Sequence, residues 1–284
     1  MVREFKILNE KGQTFSLMDI YNYCLLTEPT GLGIEYSTEY EQLNNTFIAN
    51  VRKFEQGHIN GVVNFINYDN YKKFIDFIEQ AEYLRLVYKI PFQDTQKEYL
   101  KDVEIQLLTK SEIKETGVIS EEITIDCLTL WYEENTMVYN LSEQEDEIVW
   151  DFKWDSKFSS NDSRSMEYIN QGHVEAPIEI ELSGPLVNPI FQLYIEGQLY
   201  QQVPLNIEIY GYEKILYCSK ENDFYINKEN TDGIKESLFE LGIINFDNDN
   251  VIRFPKNKSC ELRIRAENEI TNAKIVIYTY YKAV

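Results

Sequence analysis

The side chains best suited to chemistry in this sequence are two histidines, four cysteines and a large excess of carboxylates. His58 and His173 each follow a glycine in a polar stretch, and neither has a partner at HxxxH or HExxH spacing. This pattern favours ordinary surface or turn histidines over metal ligands. No GxSxG, P-loop or GxGxxG motif occurs, and Gly31-Leu32-Gly33, which lacks the third glycine, predicts a turn. We therefore predict no catalytic, cofactor-binding or metal-binding residues.

A short acidic run resembles the start of a calcium-binding loop. The run is Asp247 to Asn250, but the positions that need an oxygen ligand, a glycine and a glutamate hold Val251, Ile252 and Lys258. Such a loop cannot complete the coordination shell of calcium. A solvated turn before a strand is the favoured interpretation.

Features of carbohydrate chemistry occur between residues 143 and 155. Six carboxylates there could supply a pair for glycoside hydrolysis, but such pairs arise by chance in a chain with 48 acids. Trp150 and Trp154 resemble a sugar-stacking platform, yet their spacing puts them on the same side of a strand as Phe152. Core packing is therefore favoured over ligand stacking.

The net charge limits the classes of partner. Lys and Arg total 27 against 48 Asp and Glu, which gives a formal charge of −21. Both halves of the chain are acidic, so the charge does not belong to a tail. A basic protein that coats nucleic acid is disfavoured.

The cysteines and the apolar segments bear on compartment. Cys24, Cys127, Cys218 and Cys260 stand alone without a CxxC pair, which predicts free thiols in a reducing compartment. Polar residues 9–11 interrupt any signal-peptide core, and no apolar stretch approaches the ~18 residues that cross a bilayer. We expect a soluble protein that is made in a cytoplasm and makes no membrane contact.

The second half shows the period-two alternation of half-buried strands. Residues 178–183, 207–209 and 261–266 alternate apolar and polar side chains, and glycine and proline turns separate them. In residues 274–281 both faces are apolar, which indicates an interior or inter-domain strand. The pattern predicts a β-sandwich.

The first half mixes strands with helix. Residues 84–90, 103–107 and 123–131 alternate, while Tyr71, Phe74, Ile75, Ile78 and Ala81 form one helical stripe. We predict a helix from Tyr71 to Ala81 capped by Asp69 or Asn70, packed on a sheet. A second helix is predicted over Gly233 to Leu241, with Asp232 as N-cap and Gly242 as the C′ residue.

Polar segments suggest where the domains divide. The chain becomes acidic through Glu133-Glu134-Asn135 and again over 143–147, which predicts domains at 1–134 and 135–284. The serine-rich stretch from Asp155 to Glu175 predicts a long exposed loop.

Taken together, the turns and motifs resemble the distal tail protein family of bacteriophages with long, non-contractile tails. In the first half the resemblance lies in Pro29-Thr30-Gly31-Leu32-Gly33, Gly57 to Phe65, Lys110-Ser111-Glu112-Ile113 and Leu130-Trp131-Tyr132. In the second half it lies in Pro177 to Ile180, Gly184 to Pro189 and Asn250 to Pro255. The match covers nearly the whole chain.

The resemblance implies a mostly β protein of the α+β class. Residues 1–134 would be a mixed belt domain that closes into a hexameric ring, and residues 135–284 a galectin-like β-sandwich. The ring would be a structural hub in the virion tail, assembled in the host cytoplasm, and would perform no catalysis. Its partners would be further copies of itself, the tail tube protein, and a tail-tip protein, tail-associated lysin or receptor-binding protein. DNA would pass through the ring without specific binding.

One departure from the family and two alternative functions stay open at this point. Family members that bind saccharides often carry an inserted carbohydrate-binding module, for which this chain has no room, so residues 155–175 are the only candidate for an extra arm. A carbohydrate-binding β-sandwich that acts in adhesion to a host surface is the competing function. A glycosidase or lysin would need a specific pair of acids, and no pair stands out.

Overall fold

The computed structural model describes residues 3–19, 24–90, 97–113, 116–140, 163–243, 251–268, 270 and 272–284. Within them the chain forms two compact units, one made of residues 1–133 with 281–284 and the other of residues 134–280. Both units are built mainly of antiparallel strands, and the described residues contain a single α-helix. The expected mostly β class is confirmed.

The first unit contains, among its described residues, ten complete strands and the helix. Its elements are β1 (Glu4–Asn9), β2 (Thr14–Ser16), β3 (Met18–Asp19), β4 (Cys24–Thr30), β5 (Tyr36–Leu43), β6 (Thr46–Phe54), β7 (His58–Phe65), α1 (Tyr68–Glu79), β8 (Leu84–Lys89), β9 (Glu98–Leu108) and β10 (Ile119–Cys127). A further strand, β11 (Trp131–Asn140), begins in this unit and pairs there with β9 through Tyr132 and Leu100.

The strands of the first unit close into a barrel. Hydrogen-bonded pairs run from β2 through β1, β8, β9, β10, β7 and β4 to β3. Because β2 and β3 are consecutive parts of one segment, the last pair returns to the first. Leu17, which separates them, donates to the carbonyl of Phe5 on one side and accepts from Leu26 N–H on the other. Closure removes the free sheet edges.

Helix α1 covers part of the barrel core and begins earlier than predicted. Asn67, not Asp69 or Asn70, is the N-cap, and its side chain accepts from the backbone N–H of Asn70 at 2.9 Å. An asparagine at this position satisfies a free N–H of the first turn. Phe74 is fully buried, and its ring lies 5.0 Å from Phe15 and 5.5 Å from Phe65.

The predicted strands of the first unit are present with one correction. Residues 84–89 of the predicted segment 84–90 form β8, and residues 103–107 lie in β9. Residues 123–131 do not form one strand, because β10 ends at Cys127 and β11 begins at Trp131. The acidic segment 133–135 lies within β11, and Glu133 is buried although it is charged.

The second unit is a β-sandwich. Its strands are β12 (Ser163–Ile169), β13 (Ala176–Ser183), β14 (Leu186–Val187), β15 (Ile190–Ile195), β16 (Gln198–Pro204), β17 (Glu208–Ile209), β18 (Lys214–Cys218), β19 (Tyr225–Glu229), β20 (Lys235–Ser237), β21 (Arg253–Phe254), β22 (Ser259–Arg265) and β23 (Asn272–Tyr281). One sheet has the order β20-β19-β18-β13-β23 and the other β12-β22-β15-β16. A single apolar cluster joins the inner faces of the two sheets.

The alternation seen in the sequence sets the inner faces of this sandwich. Ile178, Ile180 and Leu182 on β13 are buried, as are Leu262 and Ile264 on β22. Residues 276–279 of β23 are all buried, so the prediction of apolar cover on both faces of this strand is confirmed.

Two predictions for the second unit are wrong. Residues 233–241 form no helix, since β20 pairs with β19 and a turn follows. The side chain of Asn230 accepts hydrogen bonds from the backbone N–H groups of Asp232 and Ile234. These bonds stabilise a turn at the position where the helix was predicted to begin. In the predicted loop 155–175, residues 163–169 are strand β12, paired with β22. Residues 155–162 lie outside the described residues.

Candidate assembly interface

A long exposed hairpin leaves the barrel of the first unit. It consists of β5 and β6, which pair only with each other as a two-stranded sheet, from Tyr36 opposite Phe54 to Leu43 opposite Thr46. Every residue of β6 is exposed, and so is β5 from Glu39 onward. We call residues 36–54 the arm.

Local sequence explains why the arm folds as a hairpin. Asn44 and Asn45 lie between two runs rich in aromatic and β-branched residues, and Asn44 adopts a left-handed φ of 54° that asparagine tolerates well. Thr46 Oγ1 donates to the carbonyl of Leu43 at 2.8 Å across this turn. The pairing shifts register after Glu39, which leaves Asn50 as a bulge.

One face of the arm is aromatic. Cross-strand partners share a face, so Tyr36 and Phe54 lie on the same side as the pairs Tyr40 with Ala49 and Gln42 with Phe47. Tyr40 is 64% exposed and Phe47 is 68% exposed. A two-stranded hairpin is only marginally stable when its apolar side chains stay in water. The exposed aromatic face is therefore typical of a surface that another protein covers.

The root of the arm is fixed tightly to the barrel. Gly31 has a φ of 81°, and a Cβ at this position would lie 1.8 Å from the carbonyl oxygen of His58. Trp131 Nε1 donates to the carbonyl of Leu32 at 3.3 Å. Where the chain re-enters the barrel after β6, the carbonyl of Gly57 accepts a hydrogen bond from Cys127 N–H at 2.9 Å. The predicted turn at residues 31–33 is therefore the point where the chain leaves the barrel.

The two histidines belong to different units, and neither lies within the arm. His58 Nδ1 lies 2.7 Å from Asp126 Oδ1, on neighbouring strands of the barrel. His173 donates its backbone N–H to the carbonyl of Tyr280 in the second unit. In the part of the chain that the structure describes, no three His, Cys, Asp or Glu side chains are grouped as metal ligands would be.

The four cysteines are buried and unpaired. Burial raises the pKa of Cys24 and of Cys218 to about 12, and that of Cys260 to about 11. Such thiols are poor nucleophiles, because the reactive thiolate is disfavoured.

Several candidate residues of the sequence fall outside the described residues. They are the acids from Glu143 to Asp155, Trp150 and Trp154, and the run Asp247 to Asn250. Across the described ranges, no helix is both long and apolar enough to span a membrane.

Sequence reasoning missed the arm. The signal was present as an Asn-Asn pair between two β-forming runs, which is typical of a hairpin turn. The apolar residues of these runs do not alternate strictly, because the bulge at Asn50 breaks the period.

Comparison with known proteins finds a family match in the first unit and a similar fold over the whole chain. Residues 4–128 match the family described as "Distal tail protein, N-terminal domain". A chain of the phage P2 baseplate in its activated conformation with Ca is similar in fold, with a TM-score of 0.66, 17% identity and complete coverage of both chains. The SPP1 Dit protein (gp 19.1), described as a hub of the adsorption apparatus in phages that infect Gram-positive bacteria, has a TM-score of 0.54 and 11% identity, over 96% of this chain and 98% of that one. No curated protein matches this chain in sequence.

Proposed function

Because residues 4–128 carry the N-terminal domain of the distal tail proteins, we propose that this chain is the structural hub of a phage tail tip. The first unit closes into a hexameric ring, and the ring connects the tail tube to the tail-tip or receptor-binding proteins. The protein resides in the virion tail after assembly in the host cytoplasm. Its role is structural, and we assign it no catalytic residue.

The exposed aromatic face of the arm is the observation that best supports a ring. It presents aromatic side chains at 64% and 68% exposure, while the core of its own barrel is complete without it. A patch that projects from one copy meets a different patch on the next, which is a head-to-tail contact. Contacts of this kind close into a ring when the rotation between copies is a whole fraction of a turn. The proposed number of copies in the ring, six, is what the resemblance to the distal tail protein family implies.

Solution mass of the full chain tests this proposal. We expect a particle of six copies of the 33.6 kDa chain by light scattering. The double variant Tyr40→Ser and Phe47→Ser should be monomeric and should keep the circular dichroism spectrum of the wild type, since neither side chain is buried in the monomer. Tyr212→Ser is the matched control, because Tyr212 is 60% exposed but lies in the second unit. A monomeric wild-type chain, or a double variant that still assembles, would reject the arm as the ring contact.

The second unit is proposed as a galectin-like docking scaffold for the tail-tip partner. Its core is completed by its own two sheets, which leaves its outer surface available to a partner. Co-expression of the chain with candidate tube and tip proteins, followed by purification of the assembly, tests these partners.

One observation favours a second candidate function, carbohydrate binding in adhesion. Tyr210 and Tyr212 are 56% and 60% exposed, and their rings lie 5.7 Å apart at an angle of 13°. Parallel exposed rings offer apolar faces of the kind that sugars stack on. Binding of the full chain on a glycan array, lost in Tyr210→Ala with Tyr212→Ala, would support this function, and its absence would leave the scaffold role.

A further inference from the structure

Tyr36 is the first residue of the arm and forms its first cross-strand pair, with Phe54. Its ring is half-buried, whereas the strand positions beyond Thr38 are exposed. The guanidinium carbon of Arg52 lies 3.9 Å from the ring centre, and Phe54 packs edge-on at 5.8 Å. The two strands of the arm are thus tied together at this ring.

A second contact ties the same ring to a distant part of the sequence. Lys282 Nζ lies 3.4 Å from the Tyr36 hydroxyl and 5.8 Å from the ring centre. Lys282 belongs to the segment 281–284, which packs in the first unit. Tyr281 and Val284, on either side of it, contact the barrel core. Lys282 is therefore held by its neighbours and is not a freely moving surface lysine.

The position of this contact gives it leverage over the arm. The contacts at Gly31, Leu32 and Gly57 hold the chain where it leaves the barrel. Lys282 contacts the first residue of the arm, Tyr36. Eight residues of β5 span about 26 Å at ~3.3 Å per residue. A rotation of about 10° at Tyr36 would move the tip by about 4 to 5 Å over that length. Such a shift is comparable to the spacing of neighbouring strands, so it would misplace the aromatic face on its target.

We infer that Tyr36 and Lys282 form a joint that fixes the direction in which the arm leaves the barrel. Lys282 is a positioning residue for assembly, because it acts on the arm through the Tyr36 side chain. The inference rests on the proposed ring, and it adds that segment 281–284 determines whether the arm is correctly aimed.

Distance measurement on the full chain tests the joint directly. Spin labels at Asn45→Cys, on the arm tip, and Glu104→Cys, on the barrel, report the arm direction, with labelled copies diluted into an excess of unlabelled chain. The native cysteines are buried with raised pKa values and should react slowly with the label. Lys282→Ala should broaden the distance distribution, Lys282→Arg should restore it, and Lys53→Ala, which removes an arm lysine on the face opposite Tyr36, should leave it narrow.

Assembly provides the second readout. Loss of the hydrogen bond from Lys282 to the Tyr36 hydroxyl should weaken assembly by about two- to tenfold per copy. Lys282→Ala should therefore raise the concentration at which half of the chains are in the ring, with an unchanged circular dichroism spectrum. An unchanged distance distribution would overturn the joint, and a broadened distribution with unchanged assembly would overturn its role in assembly. If the wild-type chain forms no ring, the proposed function fails, while the distance measurement still decides the joint.

Discussion

At the scale of single residues, Glu121 shows how a buried charge can hold a loop. This carboxylate has no solvent exposure and lies on the inward face of β10. It accepts hydrogen bonds from Thr109 Oγ1 at 3.0 Å, from the backbone N–H of Ser111 at 2.8 Å and from Ser111 Oγ at 2.9 Å. Three donors satisfy the oxygens, which compensates for the loss of water.

We expect Glu121→Gln to destabilise the protein by about 2 kcal/mol, because the new amide group would direct N–H donors at existing donors. Urea denaturation of the full chain measures the change. Glu122→Gln is the matched control, since the Glu122 carboxylate is exposed. This substitution should change the free energy of unfolding by less than about 0.5 kcal/mol. Equal effects of the two substitutions would contradict this role of Glu121.

The buried thiols predict a pH dependence of stability. Burial, with the nearby Asp19 carboxylate adding to it, raises the pKa of Cys24 from 9.0 to about 12. In the unfolded chain the thiol ionises near pH 9, while in the folded chain it keeps its proton. Between these values the unfolded state binds fewer protons, so the free energy of unfolding falls as pH rises. Below pH 9 the thiol is protonated in both states and contributes no slope.

We therefore expect the free energy of unfolding to decline from pH 9 towards pH 11, and the decline to be shallower in Cys24→Ala. Denaturant titrations at several pH values under reducing conditions measure both slopes. Identical slopes for the two proteins would assign the alkaline loss to other groups.

At the scale of elements, the departure of the arm depends on one glycine. Gly31→Ala would place a methyl group on the carbonyl of His58 and would also force an unfavourable φ of 81° on a side chain. We expect a loss of about 3 kcal/mol in stability together with weaker assembly, because the arm root must shift. Gly33→Ala is the control, since nothing lies within 4 Å of the position that its methyl group would take. Thermal melting and light scattering would show the difference, and a Gly31→Ala protein that melts and assembles like Gly33→Ala would refute it.

Elements with strict periodicity were predictable from the sequence, and those set by local side-chain contacts were not. The stripe that includes Phe74 predicted helix α1, but its start depended on the Asn67 side chain rather than on periodicity. The second predicted helix failed because Asn230 closes a turn with its own side chain, and pairing with β19 then extends residues 235–237. Strand β12 was predicted as loop because serine-rich composition hid a partner distant in sequence, β22.

The candidate interface was the least predictable feature for a physical reason. Sequence patterns identify side chains that a fold buries within one chain, and they carry no mark for those that a second protein covers. Tyr40 and Phe47 would have been assigned to a core on hydrophobicity alone, whereas the structure leaves both exposed. The family resemblance supplied the expectation of a ring, and the structure supplied the surface.

At the scale of the whole molecule, the units do not divide cleanly along the sequence. Tyr281 belongs to the first unit, where its ring packs edge-on at 5.6 Å against Tyr99 and its hydroxyl donates to Glu133 at 3.4 Å. A fragment of residues 1–134 lacks this contact and the Lys282 joint. We expect the fragment to assemble, because barrel and arm are both present, but at higher concentration than the full chain and with about 1 to 2 kcal/mol less stability, because the contacts of Tyr281 and Lys282 are lost. Light scattering that shows only monomer at high concentration would disprove a self-contained ring-forming domain.

The charge of the whole assembly leads to the last prediction, that the ring lets DNA pass without holding it. Each copy contributes a formal charge of −21, so the proposed ring of six would be strongly acidic. Phosphate contacts depend on clustered Lys and Arg that release counterions, and the basic pairs are few. Of these, Arg52 is stacked on Tyr36, and Lys72 and Lys73 are exposed on α1 without forming a continuous track.

We therefore expect no shift of double-stranded DNA in a gel titration with the assembled ring at low salt, where electrostatic attraction is strongest. The monomeric variant Tyr40→Ser with Phe47→Ser is the control, because it has the same charge without the pore. Saturable binding by the ring that disappears at higher salt would refute a passive pore, since that salt dependence is the signature of phosphate contacts. Binding by ring and monomer alike would place the contact on the outer surface instead of the channel, and would equally contradict the prediction.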